Sequence, residues 1–354
     1  MSQRPLEVRL GRRAAARIAR EGWRGDAVRR LLGASGGPRW LILGRLDRVL
    51  FGQFLNVPRA HPLQAIGSSV GTWRHACLAQ EDPVAALARF EDVYLHRAYS
   101  RRPDAAEVSA ASAEMLAHIF GGAGARRLVE HPWLQSYIVT ARGRGATGAR
   151  HDALLAAGMG AAALANAAGR PLLQGFFQRV VFASRGAPPL PLRDFATRQV
   201  ALREGTVVQA LHASGSIPFV LAGERDIAGA PRGHYWDGGI IDYHFNPAPL
   251  ESDDLVLYPH FRPDLTTGWF DKFLPWRRER QPRLANLVLL SPSAGFVASL
   301  PGGKIPDRSD FGRMAPAARR RYWRECVDRS EALAADFQRR LEDPEPLRDT
   351  LVLD

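Results

Sequence analysis

Leu63-Gln64-Ala65-Ile66-Gly67-Ser68-Ser69-Val70-Gly71-Thr72-Trp73-Arg74-His75-Ala76-Cys77-Leu78-Ala79 is the stretch whose reading decides how the chain folds. Leu63 to Ile66 reads as a short strand and Thr72 to Ala79 as a helix, and the join between them is a G-x-S-x-G pentapeptide centred on Ser69. In such a strand-to-helix turn the flanking glycines let the backbone bend sharply, and the serine hydroxyl is held clear of the sheet. A strand feeding a helix through a tight turn is also the repeating unit of a parallel α/β sheet.

Working outward, the same alternation runs through the chain. The apolar and β-branched content predicts strands at Ala27–Leu32, Leu63–Ile66, Leu134–Thr140, Val180–Ala183, Tyr235–Trp236, Leu255–Tyr258 and Leu287–Leu290. Helices are expected over Arg39–Leu50, Pro83–Tyr99, Ala105–Ile119, Asp152–Ala168 and Thr206–Ala213. The expected fold is therefore α/β, three layers deep, with a central and mostly parallel sheet covered by helices on both faces. Three segments follow in order: an Arg/Ala-rich helix over residues 1–25, a main domain over 26–308, and a charged helical extension over 309–354. In that extension Met314, Tyr322, Trp323, Cys326, Leu333 and Phe337 are spaced to bury one face. Gly186–Leu192 and Pro301–Asp307 read as proline-rich loops.

At 354 residues with a net charge of +12, the chain is long enough for a sizeable core and strongly basic. Of its 48 basic residues only Lys272 and Lys304 are lysines, a bias that fits a GC-rich genome as well as a selected surface. The field of such a chain favours anionic partners. Two cysteines, Cys77 and Cys326, cannot build a disulfide framework, and neither has a metal-ligand neighbour at characteristic spacing. A reducing, cytoplasmic location is expected, since no apolar h-region opens the chain. Ala153–Gly169 lacks charge but is mostly alanine and glycine, too short and too weakly apolar to span a bilayer; it reads as a buried helix.

If Ser69 is a nucleophile it needs a base. Histidine is the usual one, and His212, His234, His244 and His260 are the candidates, but no histidine follows His260, where an α/β-hydrolase would commonly place it. The alternative is a carboxylate. Asp237, in Tyr235-Trp236-Asp237-Gly238-Gly239, ends a short aromatic strand, and the two glycines after it let another loop approach closely. Oxyanion donors could come from Gly33-Ala34-Ser35-Gly36-Gly37-Pro38-Arg39, where backbone N–H groups near Gly36 and Gly37 open a helix. That loop lacks the Gly-Lys-Ser/Thr ending of a nucleotide phosphate loop and does not match G-x-G-x-x-G.

Taken together, a glycine loop with a following arginine, then G-x-S-x-G, then Asp-Gly-Gly, in that order, resembles the patatin-like phospholipase family. Ala213-Ser214-Gly215-Ser216-Ile217-Pro218 is similar to that family's segment before its aspartate, and Asn246-Pro247 stands where the family commonly has Asn-Pro. The resemblance covers roughly Asp26 to Pro247. It implies a Ser-Asp dyad hydrolase with Ser69 as nucleophile, Asp237 as base, an oxyanion loop at Gly36 and Gly37, and Arg39 beside the substrate. It also implies no metal and no organic cofactor. The loop departs from the family pattern at Ala34, Ser35 and Trp40, while the two glycines nearest the oxyanion are kept.

The expected substrate is a lipid ester, with phospholipid or lysophospholipid fitting the basic charge best and neutral lipid, acyl thioester or storage polyester as alternatives. Trp269-Phe270-Asp271-Lys272-Phe273-Leu274-Pro275-Trp276-Arg277-Arg278 sets bulky aromatics beside cations, as at a lipid–water interface, so peripheral contact with an anionic membrane is part of the expectation. The same segment also reads as a loop covering the sheet. Two other classes compete: a non-catalytic lipid-binding scaffold, against which Ser69 and Asp237 argue, and a nucleic-acid binder, against which the scattered basic residues and lack of a recognition motif argue.

Overall fold

The computed structural model describes residues 4–100, 103–120, 123–279 and 284–353. Among them eleven strands join one mixed, mostly parallel sheet: β1 (Leu6–Gly11), β2 (Val28–Gly33), β3 (Leu63–Ser68), β4 (Leu134–Gly143), β5 (Phe177–Ala183), β6 (Thr197–Ala201), β7 (Glu224–Arg225), β8 (His234–Asp237), β9 (Leu255–Pro259), β10 (Leu287–Pro292) and β11 (Leu351–Leu353). The order across the sheet is β11-β1-β10-β9-β2-β3-β4-β5-β6, with β7 and β8 branching from β4. The central run β10-β9-β2-β3-β4 is parallel throughout. Every residue of β3, β9 and β10 is buried, as expected of parallel strands with helices on both faces. The α/β fold expected from the alternation is thus observed.

The N-terminal 25 residues depart from the reading as one helix. Leu6, Val8 and Leu10 alternate with Glu7, Arg9 and Gly11 at the period of a strand, and β1 pairs antiparallel with β10 before the helix Arg12–Glu21 begins. Residues 1–3 of that segment lie outside the described residues. The chain's other end returns to the same edge, where β11 pairs parallel with β1. Arg4 bridges the two ends through Asp336 and Asp349, at 3.2 and 2.7 Å. Between them, Trp323, Cys326, Leu333 and Phe337 are buried on one face, as spaced, with Tyr322 packed at its margin, while Met314 is only half-buried and lies outside this core. The first and last segments therefore complete the sheet and core of the middle one.

Several boundaries shift. The helix expected over Arg39–Leu50 is a 3-10 turn Gly37–Leu43 followed by the helix Gly44–Val49, because Pro38 opens the segment one residue after a left-handed Gly37. The short strands β6, β7 and β11 have no clear sequence signal; β6 is a partly exposed edge strand rich in polar residues. The largest correction concerns Ala153–Gly169. The helix Asp152–Ala168 is not buried: Leu155, Gly158, Met159, Ala162 and Asn166 face inward, while Leu154 is 52% and Leu164 75% exposed. Its alanine-rich sequence carries no polar face to mark the solvent side. No helix among the described residues is long and apolar enough to cross a membrane.

Candidate active site

Ser69 lies between β3 and the helix Val70–Leu78, with φ 54° and ψ −134°, a backbone conformation rare for a residue with a side chain. The surrounding structure holds this strain in place, as is common at functional sites. The turn is tight enough that a Cβ at Gly71 would sit 2.1 Å from the Gly33 carbonyl oxygen, so the second glycine of the pentapeptide lets the helix press against the end of β2. The helix is anchored by a buried bidentate pair, Arg74 to Asp47, both contacts at 2.6 Å.

Asp237 reaches the same point through strand register. β3 runs parallel to β4 and ends with Ser68 opposite Val139; β8 runs antiparallel to β4 and ends with Asp237 opposite Thr140. The two strands approach each other along one edge of β4 and terminate opposite consecutive residues. Their ends place Ser69 Oγ at 2.7 Å from Asp237 Oδ2, donating to it, across 168 positions of sequence. Asp237 Oδ1 accepts the Gly239 N–H at 2.7 Å.

The segment Ala213–Pro218 ties both partners together. Ser214 Oγ accepts the Ser69 N–H at 2.9 Å and donates to the Val139 carbonyl at 2.6 Å. The Ser214 carbonyl accepts from Gly238 N–H at 3.1 Å, and the Ser216 carbonyl from Asp237 N–H at 2.7 Å. Burial pushes the Asp237 carboxyl up to about 6, only partly offset by the Ser69 hydroxyl, the Gly239 N–H and the positive charges of Lys272 and Arg308. A carboxylate poised near neutrality is suited to proton transfer.

The four candidate histidines lie elsewhere. His212 Nδ1 contacts Glu224 at 2.7 Å, His234 bridges Arg225 and the Ala222 carbonyl, His244 Nδ1 accepts from Thr266 N–H, and His260 Nδ1 accepts from Arg262 N–H. None is hydrogen-bonded to Ser69. Asn246-Pro247 also stands apart from the cavity, with Asn246 Oδ1 accepting from Ala248 N–H.

Ser69 and Asp237 open into a cavity of about 710 Å³ whose wall includes Gly36, Gly37, Arg39, Met159, Phe219 and Trp269. All five residues singled out from the sequence therefore line one space. A second cavity of about 280 Å³, walled by Trp73, Val108, Met115 and Leu221, meets the first at Ser69 and Gly37. Arg39 Nη1 donates to the Tyr243 hydroxyl at 2.8 Å, and its guanidinium lies 5.5 Å from the Phe261 ring centre. The aromatic segment divides its expected roles: Trp269, Phe270 and Phe273 wall the cavity, while Phe273 is also 70% exposed and Trp276, outside the wall, is 75% exposed.

Four contributors were not assigned roles from the sequence: Ser214, Tyr243, Lys272 and Arg308. Two of them carried a signal: Lys272 is one of two lysines in an arginine-rich chain, and Ser214 lies in the Ala213–Pro218 segment already quoted for its motif. Arg308 stands at the boundary drawn between the main domain and the C-terminal extension, yet Asp307, Arg308 and Ser309 all line the cavity. No protein-family model and no curated protein against which the chain was compared matches it.

Proposed function

We propose that the protein is a serine acyl hydrolase of patatin-like type, cleaving a carboxylic ester of an amphipathic lipid through a Ser69–Asp237 dyad. The single observation that carries this reading is the 2.7 Å hydrogen bond from a backbone-strained, cavity-facing serine to a buried carboxylate.

The chemistry follows from those positions. Asp237 takes the Ser69 proton as Oγ attacks the ester carbonyl, forming a tetrahedral oxyanion. The N–H groups of the Gly36–Gly37 loop, which share the cavity, stabilise that charge; one such donor is worth about 3 kcal/mol of barrier. The carbon–oxygen bond to the alcohol breaks and the alcohol leaves with the proton from Asp237. Water then gives a proton to Asp237, attacks the acyl-serine, and releases the carboxylic acid as the proton returns to Ser69 Oγ. The Gly239 N–H on the second carboxylate oxygen holds Asp237 aimed at Ser69 throughout.

Phe219 and Phe273, which line the cavity and are each more than half exposed, support peripheral docking on a lipid surface, as do the exposed Leu164 and Trp276 close to cavity-lining residues in the chain, and the basic net charge favours an anionic surface. Labelling of the purified protein by a fluorophosphonate probe tests the reading: wild type labels, Ser69→Ala abolishes labelling and Asp237→Asn strongly reduces it. A wild type that binds lipid vesicles and never labels would instead make the protein a non-catalytic lipid binder.

A further inference from the structure

Elsewhere in this chain buried or half-buried cations are met by acid or, as with Arg97, Arg319 and Arg340, by backbone carbonyls. Arg74 faces Asp47, Arg179 is shared by Asp194 and Asp242, and Lys304 contacts Asp307 and Asp310 at 3.1 and 2.5 Å. Around the Ser69 cavity neither kind of partner is met among the described residues. Arg39, Lys272 and Arg308 all line it, and none forms an ion pair with a carboxylate among the described residues.

Two of the three are fixed by a single aromatic ring. Tyr243, itself buried, accepts from Arg39 at its hydroxyl and carries Lys272 Nζ over its face, 3.5 Å from the ring centre. Lys272 sits on the short turn Phe270–Phe273, which Asp271 pins in place: its Oδ2 accepts from Gly268 N–H at 2.9 Å and its Oδ1 from Asn166 Nδ2 at 2.8 Å. Arg308 is exposed and stands where both cavities meet Ser69. Desolvation, together with Arg39 and Arg308, pushes the Lys272 ammonium down to about 7, Asp237 only partly offsetting it. Like charges gathered beside the poorly solvated Lys272 are unfavourable, and Asp237 offsets them only in part, so a further negative group is favoured there.

We propose that Arg39, Lys272 and Arg308 form an anion subsite that seats a phosphate or carboxylate group of the substrate beside the scissile ester, so that the enzyme selects anionic over neutral esters. The inference rests on the reading of Ser69 as the nucleophile and adds to it the charge of the substrate. Arg39 and Lys272 present N–H donors from a fixed ring scaffold, and Arg308 closes over the group from the cavity mouth.

The test compares three esters of the same acyl chain on the full-length protein: a monoacylglycerol, the corresponding monoacylglycerol phosphate, and an acylglycerate carrying a carboxylate. Fluorophosphonate labelling of Ser69 is followed in parallel. Wild type should favour at least one anionic ester over the neutral one in kcat/KM by about tenfold or more, the equivalent of one charge-assisted hydrogen bond. The better anionic ester identifies the group. Lys272→Met should collapse that ratio, mainly through KM, and Lys272→Arg should largely restore it. Inorganic phosphate should compete with the anionic ester more weakly in Lys272→Met than in wild type. A wild type that labels at Ser69 yet cleaves all three esters equally overturns the subsite, as does a Lys272→Met protein that labels and keeps the wild-type ratio. A wild type that fails to label overturns the nucleophile assignment instead.

Discussion

The Ser214 hydroxyl accepts the backbone N–H of Ser69 at 2.9 Å, so the strained backbone of the nucleophile is held by a side chain from another element. The same hydroxyl donates to Val139, the residue of β4 opposite the last residue of β3. Ser214→Ala leaves a buried donor and a buried acceptor without this partner, which costs about 1–3 kcal/mol. We expect a lower thermal midpoint and a kcat reduced about tenfold with a smaller change in KM, read by thermal denaturation and steady-state kinetics.

Activity should rise with pH through about 6, because Asp237 works as a base only when ionised and burial has raised its carboxyl to that value. Lys272 and Arg308 are the charges that pull it back down. Removing one of them should move the midpoint of the pH–rate profile upward, whereas a purely structural role for those cations would leave it in place.

Stability should move in the opposite sense. A carboxyl whose folded value of about 6 exceeds its ordinary 3.8 holds the extra proton in the folded state between those limits. The folded protein therefore loses stability as pH rises from near 4 through 6, and above that range the ionised Asp237 costs on the order of 3 kcal/mol. Asp237→Asn removes that cost. Its thermal midpoint at pH 7.5 should equal or exceed wild type even as labelling by the fluorophosphonate falls.

Gly71→Ala places a methyl group 2.1 Å from the Gly33 carbonyl oxygen, a backbone atom that cannot turn aside. The helix Val70–Leu78 must then withdraw from β2, carrying the elbow with it. A loss of about 2 kcal/mol or more in urea denaturation is expected, together with loss of labelling. Wild-type stability in this variant would show that the contact relaxes.

Asp47→Ala should be among the most damaging changes remote from the site. It strands the Arg74 guanidinium inside the core, where breaking a buried pair costs about 3–5 kcal/mol. Glu130→Ala removes an exposed partner of Arg126 and should cost far less, because solvent screens such a surface pair. Denaturant titration of the two variants side by side measures the difference.

Trp276→Ser and Leu164→Ser remove exposed apolar side chains that follow the cavity-lining Phe273 and Ala163 in the chain, without touching the cavity wall. Together they should weaken co-sedimentation with anionic lipid vesicles while leaving labelling by a water-soluble fluorophosphonate near wild type. Equal vesicle binding by the double variant would count against docking through these residues.

The central strands were legible because each is a short, apolar, β-branched run bounded by turn residues. β1 was missed since its alternation of Leu6, Val8 and Leu10 with polar residues sits in an arginine-rich context that also suits a helix. The solvent side of the helix Asp152–Ala168 was illegible for the reverse reason: alanine and glycine dominate both of its faces, and only packing of Met159 and Ala162 against the second core cluster distinguishes them.

What the sequence by itself determined is local. Two glycines two residues either side of Ser69, a glycine pair before Pro38 and another after Asp237 each constrain backbone geometry within a few residues, and those constraints can be read from residue type alone. What only the tertiary structure decided is which of these turns meet. Ser69 and Asp237 come together because β3 and β8 end opposite Val139 and Thr140 on the same edge of β4. Lys272 joins them because Asp271 ties its turn to Asn166 and Tyr243 offers its ring. Strand register and side-chain anchoring are set by hydrogen bonds between residues far apart in the chain, and no local pattern encodes those distances.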